Sequence, residues 1–332
     1  MPVDVKGPGR PGRFRRRRPR YDWPVSALFV FVDGVGVGAK DPEWNPLSRA
    51  EFLLSQFADG SGAPLPRGGR VMTADATLGV TGRPQSATGQ ATLLTGTNAA
   101  RVLGRHLPGF PSEPLRALIE ERSLFRALAA AGRTALFANA YPLGYLQALG
   151  MAPGPAPSPI GRRRARPAAA VLAWAAAAGR FRTFEDARRG EGLTSDLTGL
   201  RANGYGANLK PRTGEEAAEV LLRLAAGKDL TAFEFYETDE AGHARSMGRA
   251  LEVLGLVDRF LRRIVAGLGP ADSLVVASDH GNLEDLRTRN HTLAPVPVLA
   301  FGPAAAKVGE VRDLTGIAPL LLEFAGALPG GG

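Results

Sequence analysis

An apolar, β-branched run at residues 274–277 stops at a polar pair, Asp279 and His280, and His291 follows on a short polar loop. A run of this kind, bounded by polar residues, reads as a buried parallel strand, and in open α/β sheets the chemistry lies just beyond the carboxyl ends of such strands. Asp279 brings a hard anionic oxygen; His280 and His291 bring imidazole nitrogens. That mixture suits zinc, manganese or iron better than calcium. An Asp-His pair alone is more often a capped turn with a surface histidine, so its weight depends on what the rest of the chain places beside it.

Two more strands end in the same way. The mostly apolar stretch 25–32 stops at Asp33, with Gly34, Gly36 and Gly38 letting the backbone turn sharply. After the strand read at 232–236 come Asp239 and His243, four residues apart, so one turn of helix aims both at one ion. The chain has only four histidines, and His243, His280 and His291 all fall just after strand ends in company with Asp. Coincidence explains that poorly.

Between these strands, Pro84 breaks the chain, Ser86 takes the position of a helix N-cap, and residues 91–95 form a helix that Gly96 ends. A serine at a helix N-terminus is also placed to act as a nucleophile on phosphate, because free backbone N–H groups and the helix dipole favour an alkoxide and an incoming anion. Thr88 is the fallback. Residues 123–132 read as a capped helix and 134–138 as a strand. Residues 141–210 change character: Pro and Gly breaks, an arginine cluster (Arg162, Arg163, Arg164, Arg166) and an Ala-rich helix over 168–178. This reads as a small, mainly helical cap whose arginines face solvent or an anionic substrate. The core resumes at a Thr213/Glu216 capping box and continues through a long amphipathic helix, with Leu251, Leu254, Val257, Leu261, Ile264, Val265 and Leu268 on its buried stripe, then a strand at 296–301 and a terminal helix near Thr315.

The formal charge of +9 suggests a nucleic-acid partner until it is divided. Residues 1–20 hold Lys6, Arg10, Arg13, Arg15, Arg16, Arg17, Arg18 and Arg20 against Asp4, a net of +7 that leaves only +2 for the rest of the chain. Residues 1–24 therefore read as a disordered basic tail, the one part with a charge reason to bind nucleic acid. No cysteine is present, which removes disulfides, thiolate metal sites and a Cys nucleophile. The longest uncharged, largely apolar run, 167–179, is too short to cross a bilayer, and the apolar stretch after the arginines ends in Asp33, unlike a twin-arginine export signal. The expectation is a cytoplasmic protein with no membrane segment.

In this order, Asp33, Ser86, Asp239 with His243, Asp279-His280, and His291-Thr292 followed by Pro295-Val296-Pro297 resemble the alkaline phosphatase superfamily. Within it the likeness is to the metalloenzyme branch containing cofactor-independent phosphoglycerate mutase and phosphopentomutase, and it runs from about residue 25 to about 325, the insertion excepted. The resemblance implies a three-layer α/β/α sandwich with a mostly parallel central sheet and a small helical cap (core 25–140 and 211–332, cap 141–210). It implies one divalent ion, Mn²⁺ or Zn²⁺, at Asp33, Ser86, Asp279 and His280, a second at Asp239, His243 and His291, and Ser86 as nucleophile. Gln90 departs from the pattern, standing where the mutases have a histidine, and the cap is much smaller than theirs. A phosphate-ester hydrolase acting on a small phosphorylated substrate is the expectation. A phosphomutase on a small sugar or acid is the alternative, and a nucleic-acid-binding protein acting through its tail is a remote one.

Overall fold

The computed structural model describes residues 27–155 and 165–328. The basic tail and Arg162, Arg163 and Arg164 lie outside them. Six strands form one sheet in the order β2-β8-β7-β1-β6-β3, comprising β1 (Ala27–Val32), β2 (Arg70–Ala74), β3 (Ala135–Phe137), β6 (Leu230–Phe235), β7 (Ser273–Ala277) and β8 (Val296–Phe301). The pairs β3-β6, β6-β1 and β1-β7 are parallel, whereas β8 is antiparallel to both β7 and β2. Two further short strands, β4 (Ala140–Tyr141) and β5 (Arg182–Thr183), pair on their own. The mostly parallel sheet is as the sequence reading had it.

Every residue of β1, β6 and β7 is buried, which is why these strands read as unbroken apolar runs rather than alternating ones. Alternate side chains serve opposite faces. Phe29 and Phe31 join a core with the helices Ser86–Thr95, Glu113–Arg122, Leu124–Ala130 and Ile317–Phe324. Leu28, Val30 and Val32 join another with the helices Gly214–Ala225 and Met247–Gly267. The result is a sheet covered by helices on both faces. The Thr213/Glu216 capping box forms with both of its hydrogen bonds, and Ser123 caps Leu124–Ala130 by accepting from Phe125 N.

Two local readings are corrected. The helix around Ser86 begins at Ser86 itself, and Gln85, extended at φ −142° and ψ 148°, is the N-cap residue. The Ala-rich helix, Ala169–Ala175, does not belong to a cap. Ala169, Ala170, Leu172, Ala173 and Trp174 are buried in the main core, with Trp174 edge-on to Phe125 at 5.2 Å between ring centroids. Small alanines let the helix lie close while Leu172 and Trp174 fill the space beyond. What stands apart from the two cores is a small cluster of Ala140, Ala187, Ala202, Ala207 and Leu209.

Candidate metal centre

β1, β6 and β7 run parallel and in step, Ala27 lying opposite both Leu230 and Ser273, so the residues that follow them emerge together at one end of the sheet. Asp33 follows β1, the helix Glu237–Ala244 with Asp239 and His243 follows β6, and Asp279 and His280 follow β7. The close fit depends on Gly34, whose φ of 70° favours glycine and where a Cβ would lie 2.5 Å from Asp239 Oδ1. Gly89 likewise lets the helix Ser86–Thr95 approach Asp279, since a Cβ there would sit 2.9 Å from the Asp279 carbonyl oxygen.

The ligand-type residues fall into two groups, Asp33 with Asp279 and His280, and Asp239 with His243 and His291, the donor atoms of each group lying within 4.8 Å of one another. In the first, His280 Nε2 stands 3.4 Å from Asp33 Oδ1, 3.4 Å from Asp279 Oδ2 and 3.1 Å from Ser86 Oγ. In the second, His243 Nε2 is 3.2 Å from Asp239 Oδ2, and His291 Nε2 is 3.7 Å from Asp239 Oδ1. The rings of His280 and His291 stack at 3.6 Å and 14°, which sets the groups side by side.

Three observations fit these residues to cations. Asp33 Oδ1, Asp279 Oδ2 and His280 Nδ1 are buried with no hydrogen-bond partner, and leaving such atoms unsatisfied costs about 1–3 kcal/mol each. Burial, with the charges of Asp279 and Asp239 adding to it, pushes the Asp33 carboxyl well above its usual range; burial pushes Asp279 up to about 8. Two buried carboxylates without a counter-charge cannot both ionise cheaply. Finally, His243 Nδ1 faces the Arg289 carbonyl at 2.7 Å and His291 Nδ1 faces the Pro84 carbonyl at 3.0 Å. A carbonyl only accepts, so each Nδ1 carries a proton, and both Nε2 atoms turn inward toward Asp239, 3.3 Å from each other. In the neutral rings both Nε2 lone pairs are free to bind a cation.

The other shifts follow from the same crowding. Burial and His291 hold His280 down to about 3. Asp239 falls to about 2: burial opposes ionisation, but the His243 hydrogen bond, the His280 charge and the Asn282 hydrogen bond together outweigh it. These directions give a pH prediction for metal-free protein. Asp279 titrates higher folded than its ordinary 3.8, so its protonated form stabilises the fold and that stability is lost as pH rises through about 8. His280, depressed from 6.5, works the other way but only below about pH 6.5. The melting temperature of the metal-free protein should therefore fall as pH rises from about 6.5 past about 8, by roughly 5 °C or more, and added Mn²⁺ or Zn²⁺ should restore it. A flat profile in calorimetry would contradict the proton-for-metal exchange.

Ser86 is half-buried at the first helical position, and its hydroxyl points to His280 rather than capping a backbone N–H. Not all the first-turn N–H groups are free as expected, because Ala87 N donates to the Leu107 carbonyl. Thr88 is fully buried; its hydroxyl donates to the Gln85 carbonyl and accepts from Leu107 N. Arg166, the one member of the arginine cluster within the described residues, lies over Phe110 at 4.7 Å, on the loop that packs against the start of the Ser86 helix.

Sequence reasoning missed the scaffold around the ligands. Glu284, buried at 3%, accepts from Gly36 N (2.9 Å) and Asn282 N (2.8 Å) through Oε2 and from the Thr292 hydroxyl through Oε1. It thereby ties together the loops that carry Asp33, His280 and His291. Asn282 donates to Asp239 Oδ1 at 2.6 Å, and Gln90 donates to Asp33 Oδ2 at 3.3 Å. Nothing in the local spacing marks Glu284. Glu234 did carry a signal, a single charge inside the apolar strand β6; burial pushes its carboxyl up to about 7. Glu284→Gln removes one acceptor oxygen while keeping shape, and should weaken metal binding by about 10–100-fold in calorimetric titration. Unchanged affinity would show that the tie is dispensable.

Residues 201–328 match the family model described as Metalloenzyme superfamily. Over 119 residues, 32% of this chain, the sequence is 36% identical to a 2,3-bisphosphoglycerate-independent phosphoglycerate mutase of Halobacterium salinarum, and over 121 residues it is 35% identical to that of Paracoccus denitrificans. These alignments span 23% and 24% of the two relatives, so the matched part is about a quarter of their length. Among solved structures, a Pyrococcus horikoshii protein aligns with a TM-score of 0.56 at 16% identity, covering 93% of this chain and 98% of that one. The alkaline phosphatase of the Antarctic bacterium TAB5 aligns at 0.52 and 11% identity, covering 92% and 98%. At such identities the structures speak to the fold alone.

Proposed function

We propose that this chain, a metalloenzyme of the alkaline phosphatase superfamily resembling cofactor-independent phosphoglycerate mutase, is a phosphate-ester hydrolase that works through a phosphoserine at Ser86. The observation that carries the reading is the position of Ser86: its hydroxyl opens a helix N-terminus, caps nothing, and stands 3.1 Å from His280 Nε2 beside both ligand groups. Asp33, Asp279 and His280 with Ser86 would hold one divalent ion, and Asp239, His243 and His291 the other. Such a pair supplies positive charge to phosphate oxygens and to the leaving oxygen of an in-line displacement.

The chain's own residues account for the rest. Ser86 Oγ, its proton lost to solvent, bonds to phosphorus as the ester P–O bond breaks, and the departing alkoxide takes up a proton. Water then bonds to phosphorus as the Ser86 Oγ–P bond breaks, releasing inorganic phosphate and restoring the hydroxyl. Water rather than a second substrate hydroxyl is favoured because the second ligand group reaches solvent at His243, whose side chain is 45% exposed, and the Ala-rich helix that a cap would have used is buried in the core. Arg166, stacked on Phe110 of the loop beside the Ser86 helix, supports a role in binding an anionic substrate.

The test is a panel of phosphomonoesters, phosphodiesters and sugar phosphates assayed with Mn²⁺ or Zn²⁺ for both free phosphate and isomerised product. Phosphate release supports the hydrolase; stoichiometric isomerisation without phosphate makes the protein a mutase. Any affinity for nucleic acid should reside in residues 1–20. Deleting residues 1–22 should leave turnover unchanged and abolish salt-sensitive binding to DNA or RNA, which a gel-shift titration at two ionic strengths reads.

A further inference from the structure

The edge of the sheet at β3 carries a second feature. A cleft of about 280 Å³ lies beside the edge strand β3, walled by Phe125, Ala135, Trp174 and Ala177 and rimmed by Arg133, Arg180, Arg182 and Lys228. Arg133 and Lys228 precede β3 and β6, whereas the ligand-type residues follow β1, β6 and β7; Arg182 reaches the cleft from β5, paired beside Ala140.

The charges here do not balance. Arg133 pairs with Asp229 at 3.7 Å, and Arg180 shares Asp186 with Arg189 at 2.6 and 2.5 Å. Arg182 is half-buried, yet among the described residues no carboxylate lies within ion-pair distance of it; it donates only to the Glu191 carbonyl at 2.6 Å and the Phe137 carbonyl at 3.3 Å. The Lys228 side chain has no hydrogen bond or ion pair among the described residues, its only bond being from the backbone N to the Ala225 carbonyl. The wall also holds an unsatisfied donor, since Trp174 Nε1 is buried without an acceptor. Partly desolvated cations with no carboxylate in contact are costly, and an anion seated between them offsets that cost.

We propose that this cleft binds a small organic anion, a phosphate or carboxylate group on an apolar or aromatic body, with Arg182 and Lys228 holding the anion and Phe125 and Trp174 flanking the body. The volume suits a molecule of phenyl-phosphonate size. The site is independent of the reaction at Ser86.

Trp174 provides the readout. In full-length protein carrying Trp23→Phe and Trp44→Phe, Trp174 is the remaining tryptophan, and titration with phenylphosphonate should change its fluorescence saturably while neutral benzamide does not. The Lys228 side chain makes no hydrogen bond or ion pair among the described residues, so Lys228→Gln should weaken binding and Lys228→Glu should weaken it by about tenfold or more. No saturable change, an equal response to benzamide, or an affinity indifferent to both Lys228 variants would each overturn the proposal. So would an affinity that falls with His243→Ala instead, which would place the probe at the metal centre.

Discussion

Asp279→Asn should lower metal affinity by at least about 10²-fold and take turnover with it, because it removes an anionic donor from a buried group. The same substitution should have the opposite effect on the metal-free protein. Burial pushes the Asp279 carboxyl up to about 8, so above that pH the native fold must carry a buried charge that Asn lacks. Metal-free Asp279→Asn should therefore melt higher than metal-free wild type at alkaline pH, while the metal-loaded wild type melts higher than both. His243→Ala should be milder, since His243 is 45% exposed and water can replace its nitrogen. Full turnover by either variant after exhaustive chelation would remove the metal centre from the account.

Ser86→Ala separates chemistry from binding. The hydroxyl is one donor in a group that also contains Asp33, Asp279 and His280, so its loss should cost metal affinity no more than about tenfold, whereas turnover should fall by about 10³-fold or more for want of a nucleophile. Thr88→Val makes the contrast. The Thr88 hydroxyl is spent on the Gln85 carbonyl and Leu107 N inside the helix start, so its removal should reduce stability by about 1 kcal/mol and leave the reaction path intact. Equal losses of turnover in the two variants, or a Ser86→Ala enzyme near wild-type rate, would reverse the assignment.

Much of this was legible in the chain because β1, β6 and β7 are buried on both faces and end abruptly in ligand-type residues. An apolar run stopped by Asp or Asp-His is a local signal, and three such ends in one parallel sheet must converge. The direction of β8 was not legible, since its apolar run looks the same whether it pairs parallel or antiparallel. Ser86 was placed one residue too far out, because propensity favours serine as an N-cap while the hydrogen bond that fixes it comes from His280, 194 positions away. The Ala-rich helix was assigned to a cap because a run of alanines carries no periodicity to say which surface buries it; the packing of Trp174 against Phe125 decides that. Glu284 escaped for a related reason, as its value lies in joining three loops that meet only in the folded chain.

The central claim is that Ser86 carries the phosphoryl group between substrate and water. Incubating the metal-loaded enzyme with a labelled phosphate ester, quenching in acid within the first turnovers and mapping the label by peptide mass spectrometry tests it directly. The account predicts label on Ser86, chased off as free phosphate by unlabelled buffer and absent from the Ser86→Ala protein. Label on Thr88 or on another residue, or turnover with no covalent label at any quench time, would contradict it.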